Sequence, residues 1–402
     1  MSTLTWLHIS DLHFRASQSY DSNIMLSALL EDVKERISDD GLQPDLIAVT
    51  GDVAFAGKAK EYDMARQFFD RLLDITGLGK DRLFLVPGNH DVDRRAISPL
   101  VAGGTSILNS RRTVNQFLDN DSERALVFHR FRNYQSFVNE YLKGYIPFDS
   151  TNYFYVKHQE IAEQRVAILG LNSAWLSGSD ADQYNLLLGE RQVRTALEMS
   201  AGADLRLALL HHPFNWLKDF DRADVAPLLL RGCGFVLHGH LHQASSLDTA
   251  SSEAMIIAAG AGDETRAYPN TYNFVQLDFS AREGNIYLRM YSDRQGGFWT
   301  RDILSYRNVS EGIYTFSLHQ PLSVLPDSRL TLEYILLPDR VSVKELHLRN
   351  FRCFERERFP LSSDFTVFIG NNTQCEMLEE RGIVCPGEAQ IQAETASTDT
   401  AP

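Results

Sequence analysis

Apolar and polar positions follow two rhythms over the first hundred residues. Short apolar runs at 5–10, 45–50 and 83–86 are bounded by turn or polar residues, and each reads as a buried strand. Between them the apolar positions step by three and four. Leu26, Leu29, Leu30, Val33 and Ile37 mark a helix over about 22–38, closed by Gly41 and Pro44. Tyr62, Ala65, Phe69 and Leu72 mark a second, with Gly77 after its end. Strand–helix–strand–helix–strand predicts a sheet with parallel neighbours and right-handed crossovers, an α/β class.

From 92 to about 164 this pattern breaks. The segment is too long for an ordinary connection, so it must carry structure of its own. Val127, Phe131, Tyr134, Val138 and Tyr141 predict one helix over 123–142. Arg111, Arg112, Arg124, His129, Arg130 and Arg132 make the segment basic. It reads as a helical cap, inserted over about 94–164, that leans over the site and contacts a substrate. Strands resume at 166–171, 205–210, 235–237, 255–259, 272–278 and 285–291, and this half reads as more antiparallel. Two sheets packed face to face, with helices outside, accommodate so many short strands. Pro326 and Pro338 place a linker at 326–340 after a domain of 1–325. Two more strands are expected at 343–352 and 365–370, and a polar, disordered tail over 373–402.

The strands end in polar groups. Asp11 and His13 follow the first, Asp52 the second, Asn89 and His90 the third, and His211, His240 and His242 later ones. Ligands in open α/β sheets lie beyond the carboxyl ends of the strands. Asp11 with His13, and His240 with His242, are i, i+2 pairs, which in extended backbone point the same way. A lone histidine is usually structural, but five such motifs in order after strands define a site. Carboxylate, imidazole and amide oxygen suit Mn, Fe or Zn. The count suffices for two divalent ions if Asp52 bridges them.

Composition narrows the partners. The 402 residues are 44% hydrophobic and 23% charged, with a net charge of −14, which disfavours a broad basic surface for nucleic acid. Cys233, Cys353, Cys375 and Cys385 show no metal-knuckle spacing, and three of them fall near the end of the chain. No signal peptide or membrane-spanning run is visible, so a cytoplasmic, reduced protein is expected. Oligomeric state is not legible.

The ordered set Asp11-Leu12-His13, Gly51-Asp52, Gly88-Asn89-His90-Asp91, His211-His212-Pro213 and Gly239-His240-Leu241-His242 resembles the calcineurin-like metallophosphoesterase family. The resemblance implies a four-layer α-β-β-α sandwich of two mixed sheets and a dinuclear centre. It implies one metal on Asp11, His13, Asp52 and His242, and another on Asp52, Asn89, His211 and His240. His90 is implied as catalytic acid, and the family's His-x-Pro pattern selects His211 over His212. Gly51-Asp52-Val53-Ala54 with Gly57 and Glu61-Tyr62 is similar to the bacterial cyclic-nucleotide-phosphodiesterase branch. Protein phosphatases of the family carry an aspartate where this chain has Phe55, so the orienting partner of His90 is left unidentified.

Two cations together can clamp phosphoryl oxygens around a metal-activated hydroxide, with His90 protonating the leaving group. Hydrolysis of a phosphodiester in a nucleotide-like substrate is the expected activity. Residues 346–354 and 365–372 resemble the opening of an ATPase head of the SMC and OLD kind, but Gly370 is followed by no Gly-Lys pair, so ATP binding is not expected. This fragment motivates an alternative, a DNA nuclease that works with such a head. A third reading is a metal-stabilised binding module without catalysis.

Overall fold

A computed structural model of the chain describes residues 3–16, 20–96, 103–179, 182–241, 254–260, 270–303, 309 and 311–318, with five strands between 345 and 391. It divides into two units, Met1–Asp327 and Ser328–Pro402. The first three apolar runs form β1 (Thr3–Ile9), β2 (Leu46–Val49) and β3 (Leu83–Leu85), paired in parallel. The connecting helices are α1 (Tyr20–Asp40) and α2 (Ala59–Thr76). At the start of α2 the Glu61 carboxylate accepts from Lys58 N at 2.9 Å, and at its end Gly77 turns left-handed, φ 65°, and returns its N–H to Leu73 O.

The second half was expected to be more antiparallel, and it is, although it also contains a parallel run. β4 (Tyr155–Ile161) runs antiparallel to β5 (Gln164–Gly170), but β5, β6 (Leu205–Leu209), β7 (Phe235–His238) and β8 (Met255–Ala258) are parallel neighbours. Their runs are apolar on both faces, as parallel strands covered on both sides must be. The antiparallel strands are β9 (Thr271–Asp278), β10 (Glu283–Ser292), β11 (Phe298–Arg301) and β12 (Ile313–Ser317). They join the first sheet through β9, which pairs with β1, giving the order β11-β10-β9-β1-β2-β3 with β12 beside β10.

Alternation along β5 to β7 sets the layers. Val166, Ile168, Leu207, Leu209, Phe235 and Leu237 enter the core shared with the first sheet, where the rings of Trp6 and Phe235 meet at 5.1 Å. Ala167, Leu169, Ala208 and Val236 turn the other way, onto two further helices, Glu190–Met199 and Asp219–Gly232. On the far side of the first sheet, Asp32 of α1 accepts from Tyr272 of β9 and Arg289 of β10. Helix, sheet, sheet, helix is therefore the layer order, a mixed α/β fold with two mixed sheets and flanking helices.

Among the described residues the insertion includes α3 (Arg111–Asp119), α4 (Asp121–Phe128) and α5 (Arg132–Tyr141). The single helix expected over 123–142 is broken by a 3-10 turn at His129–Phe131. Arg130, at this turn, is buried and donates to Val127 O and Ser177 O, both at 3.0 Å, while its carbonyl accepts from Asp93 N. A continuous helix would spend that carbonyl internally. Several other basic side chains are paired within the protein, while Arg112 and His129 are exposed. Arg111 pairs with Asp224 and Glu190, Arg124 binds Leu118 O, Ser150 O and Asp121, and the exposed Arg132 stands 3.5 Å from Asp93. Arg124 ties the insertion to itself, and Arg111, Arg130 and Arg132 fasten it to the body of the protein. Its rings do the same, with Phe117 and Phe128 stacked on Trp175 and Phe137 on Tyr62.

In the second unit, β13 (Glu345–Phe351) forms a hairpin with β14 (Phe354–Pro360) and also pairs with β17 (Gln390–Ile391), and β15 (Val367–Ile369) pairs with β16 (Cys375–Met377). The linker expected at 326–340 and the rest of the tail lie outside the described residues.

Candidate metal centre

The polar strand ends of both sheets meet at one place. Asp11 Oδ2 accepts from His240 N at 3.0 Å, across 229 residues of chain. Asp52 Oδ2 lies 3.3 Å from His13 Nε2 and 3.2 Å from His211 Nε2. His211 Nε2 is in turn 3.0 Å from Asn89 Oδ1 and 3.2 Å from His240 Nδ1. Six of the seven expected ligands thus converge. The seventh, His242, lies outside the described residues.

One expectation about this geometry needs correction. Asp11 and His13 do not alternate along an extended strand; both are left-handed, with φ of 53° and 47°. Asp52 and His240 are left-handed as well, at 52° and 68°. Left-handed backbone costs an L-residue about 1–2 kcal/mol, and four of the ten such non-glycine residues described here are candidate ligands. Strain concentrated in this way marks a functional site. It arises because β1 and β2 keep pairing after they end: Asp11 N donates to Gly51 O, His13 N to Asp52 O and Phe14 N to Val53 O. The two loops curl together, which brings His13 and Asp52 side by side.

Glycine permits the close approach of the other loops. A Cβ on Gly88 would stand 2.5 Å from Asp52 N, and one on Gly239 would stand 2.6 Å from Asp11 Oδ2. Asp91 then ties the loops down. Its carboxylate accepts from Val53 N, Ala54 N, Gly88 N and the Tyr62 hydroxyl, at 2.9–3.2 Å. Burial, and then the charge of Asp52, push its carboxyl up to about 7.

His90 finds its orienting partner in the backbone. Its Nδ1 is 2.6 Å from the carbonyl oxygen of Phe55, so Nδ1–H donates there and Nε2 is left for chemistry. This carbonyl replaces the carboxylate that sequence comparison with protein phosphatases failed to find. Phe55 N donates to Phe14 O at 3.0 Å, which fixes the carbonyl in turn.

His212 also reaches the cluster. Its Nδ1 and its backbone N–H both contact Ser173 Oγ at 3.0 Å, and its ring lies 4.6 Å from that of His240. Burial, and then the neighbouring histidines, hold it well below the ordinary imidazole range. His211 shows the opposite behaviour: burial works against its charge, yet Asp52 and Asp11 raise it to about 9, and Asp52 is held low by the same attraction. Such a field favours a cation at this position.

The donor set fits divalent metal. Asp11 Oδ1 is buried with no hydrogen-bond partner. Ligand atoms of Asp11, Asp52 and His211, of His13, Asp52 and His90, and of His211, His212 and His240 form groups within 4.8 Å. Nδ1 of His211 is held by Thr50 O at 2.7 Å, the outer contact that fixes a ligating imidazole.

Sequence reasoning missed Asp91, the Phe55 carbonyl and Ser173. Asp91 was visible as the last residue of Gly-Asn-His-Asp, and Ser173 as a polar strand end. A backbone acceptor leaves no signal in side-chain identity.

A mixed α/β sandwich with clustered carboxylates and imidazoles at its sheet ends defines a metal-binding hydrolase fold. Residues 4–244 match the family model of the calcineurin-like phosphoesterases, and the chain belongs to that family. Members of the family use a dinuclear divalent-metal centre. The chain is 24% identical over 332 residues to the uncharacterized metallophosphoesterase-like protein YydB of Bacillus subtilis, a match covering 80% of this chain and 66% of YydB. It is 37% identical over 86 residues to the glycerophosphodiester phosphodiesterase GpdQ of Enterobacter lignolyticus, covering 21% of this chain and 28% of that protein. The chain therefore spans less than two thirds of the length of either relative. Among solved structures it is similar to purple acid phosphatase PPD1 of yellow lupin, with a TM-score of 0.44 and 12% identity, covering 78% of this chain and 54% of that one. Among the described residues no helix is long and apolar enough to cross a membrane.

Proposed function

We propose that this chain is a dinuclear-metal phosphoesterase that hydrolyses a phosphodiester in a nucleotide-like substrate. The observation that carries the reading is the convergence of Asp11, His13, Asp52, Asn89, His211 and His240 beside a histidine held by a backbone carbonyl. In this reading Asp11, His13, Asp52 and His242 hold one cation, and Asp52, Asn89, His211 and His240 the other. Bound cations of this kind polarise phosphoryl oxygens and lower the pKa of a water. The resemblance of Gly51 to Tyr62 to the cyclic-nucleotide branch and the name of GpdQ both support a diester.

His90 is the general acid. With Nδ1–H kept on Phe55 O, the protonated ring presents Nε2–H to the oxygen that leaves phosphorus. That oxygen takes the Nε2 proton as a water oxygen bonds to phosphorus and the P–O bond breaks; the attacking water releases its proton to solvent, from which the neutral ring is reprotonated. Thr50 O and Asp11 Oδ2 orient His211 and the backbone of His240, and Asp91 fixes the loops that carry Asp52 and His90. The test is turnover of bis(p-nitrophenyl) phosphate and of cAMP by Mn-loaded protein, with single- and double-stranded DNA alongside. Metal-dependent hydrolysis of the first two is expected. Full metal occupancy with no phosphoester turnover rejects the reading, and DNA cleavage without small-diester turnover replaces it with a nuclease.

A further inference from the structure

Two residues just beyond the candidate ligands carry side chains that are not themselves candidate ligands. Arg15 follows His13 by two positions, and Phe55 follows Asp52 by three. The bridge between Phe14 and Ala54 brings them together, and the guanidinium carbon of Arg15 lies 3.8 Å over the centroid of the Phe55 ring. Phe55 is 36% exposed, although its backbone is pinned at both ends, by Phe14 O and by the His90 ring. Its ring centroid is 5.4 Å from that of His90. An exposed aromatic held rigidly at the catalytic histidine is a feature that stability alone does not call for.

We infer that Arg15 and Phe55 form a stacking ledge that selects phosphodiesters carrying a planar nucleobase next to the scissile bond. The inference rests on the phosphodiesterase reading above and names its substrate class. Nucleobases stack on aromatic rings and on arginine planes alike. Arg15 is exposed, so its guanidinium is accessible to such a ring. No carboxylate among the described residues lies within ion-pair distance of Arg15, so its plane is set by Phe55 rather than by a fork of acceptors. The Phe55 ring, 5.4 Å from that of His90, places the ledge beside the proposed reaction centre. The ledge is also built before substrate arrives, which limits the ordering that binding requires.

The test uses the full chain loaded with Mn and two probes that differ only by a base, AMP and ribose 5-phosphate, titrated by calorimetry. Base stacking of the usual strength makes AMP bind roughly 10-fold more tightly than ribose 5-phosphate. Arg15→Ala should bring that ratio close to one. Arg15→Lys, which keeps the charge and loses the plane, should lower it as far. Phe55→Leu should also lower it, and thermal melts confirm that each variant folds. A wild-type ratio near one, a ratio preserved in Arg15→Ala, or full retention by Arg15→Lys overturns the inference, the last because charge alone would then explain it. Binding of neither probe at millimolar concentration overturns it too. If the protein binds AMP selectively but hydrolyses no phosphodiester, the proposed function fails while the ledge stands.

Discussion

Gly88→Ala tests whether close backbone approach, rather than side-chain identity alone, assembles the site. The added Cβ would lie 2.5 Å from Asp52 N and 2.7 Å from Asp52 Cγ, and closer still to Oδ1, where ordinary contact begins at 3.4 Å. None of these atoms ends a flexible chain, since Asp52 Oδ1 accepts from His90 N at 2.7 Å and Oδ2 faces two imidazoles. Asp52 must retreat by at least about 0.9 Å from its N–Cβ contact alone, and further at Oδ1. Overpacking of this kind costs about 1–3 kcal/mol, and losing the hydrogen bond from His90 N to a charged acceptor adds about 1.5–3 kcal/mol. Because Asp52 is the one group proposed to face both cations, a shift of nearly 1 Å should also lower kcat/KM by about 100-fold.

The assay pairs metal content, by elemental analysis after dialysis, with urea unfolding and turnover of bis(p-nitrophenyl) phosphate. Gly77→Ala is the control. It has a left-handed φ of 65° and open space around it, so it carries only the backbone penalty of about 1–2 kcal/mol and leaves metal content alone. If Gly88→Ala binds metal and turns over within twofold of wild type, the close-approach reasoning is wrong.

Three further outcomes are expected. His90→Ala should retain metal and lose about 10²–10⁴-fold in kcat on an alkyl diester, with a smaller loss on a nitrophenyl ester whose leaving group needs no proton; an equal loss on both esters would exclude the acid role. Asp221 is buried, which pushes its carboxyl up to about 6 while Leu188 N and Gly189 N pull it down. Its folded value lies above its unfolded one, so its protonated form is favoured in the fold, and stability falls by about 3 kcal/mol as pH rises from about 4 through 6. Asp221→Asn should remove that fall in urea midpoints, and an unchanged pH slope would contradict it. Arg289→Met leaves the buried Asp32 carboxylate with only the Tyr272 hydroxyl and Arg36 at 3.5 Å, and losing the charged donor should cost about 1.5–3 kcal/mol in unfolding free energy without loss of metal; a cost under 1 kcal/mol would mean that Tyr272 and Arg36 suffice.

The sheets were legible because strand burial is written in short apolar runs, and the ligands because each follows such a run. The limits were equally physical. Parallel and antiparallel pairing of β5 to β8 depends on where connections return, and an apolar run looks the same either way. The break at 129–131 came from Arg130, whose contacts with Asp93 and Ser177 are tertiary and leave the helical spacing of Phe131, Tyr134 and Val138 intact. The left-handed turns at Asp11, His13 and Asp52 are carried by residues with no glycine-like freedom, so composition could not announce them. Basic residues in the insertion suggested a substrate-facing surface; Arg111 and Arg130 spend their charge on Asp224, Glu190 and Ser177 O in the body of the protein, while Arg112 and His129 stay exposed, a division that side-chain identity does not announce.

That inward use of charge bears on how the strained turns persist. Four candidate ligands in left-handed backbone cost about 1–2 kcal/mol each, and part of the offset is their own, since Asp11 accepts from His240 N and Asp52 from His90 N. The rest comes from outside the ligand set. Asp91 binds three backbone N–H groups on the loops bearing Asp52 and Asn89, and Tyr62, which donates to Asp91, is stacked at 4.9 Å on Phe137 of the insertion. Asn133 of the insertion donates to Gly57 O, and Lys58 pairs with Asp93, closing the same loop from the other side. The insertion thus supports the chemistry without touching the ligand atoms, and its Tyr62-facing ring is a point where a distant substitution should loosen His90 through Phe55. The side chains of Arg15 and Phe55 project from these same loops, while the backbone of Phe55 belongs to the clamped segment and holds His90. Substitution of those side chains that keeps the backbone in place should change what is bound without changing the contact on His90, which separates specificity from chemistry within a few residues of chain.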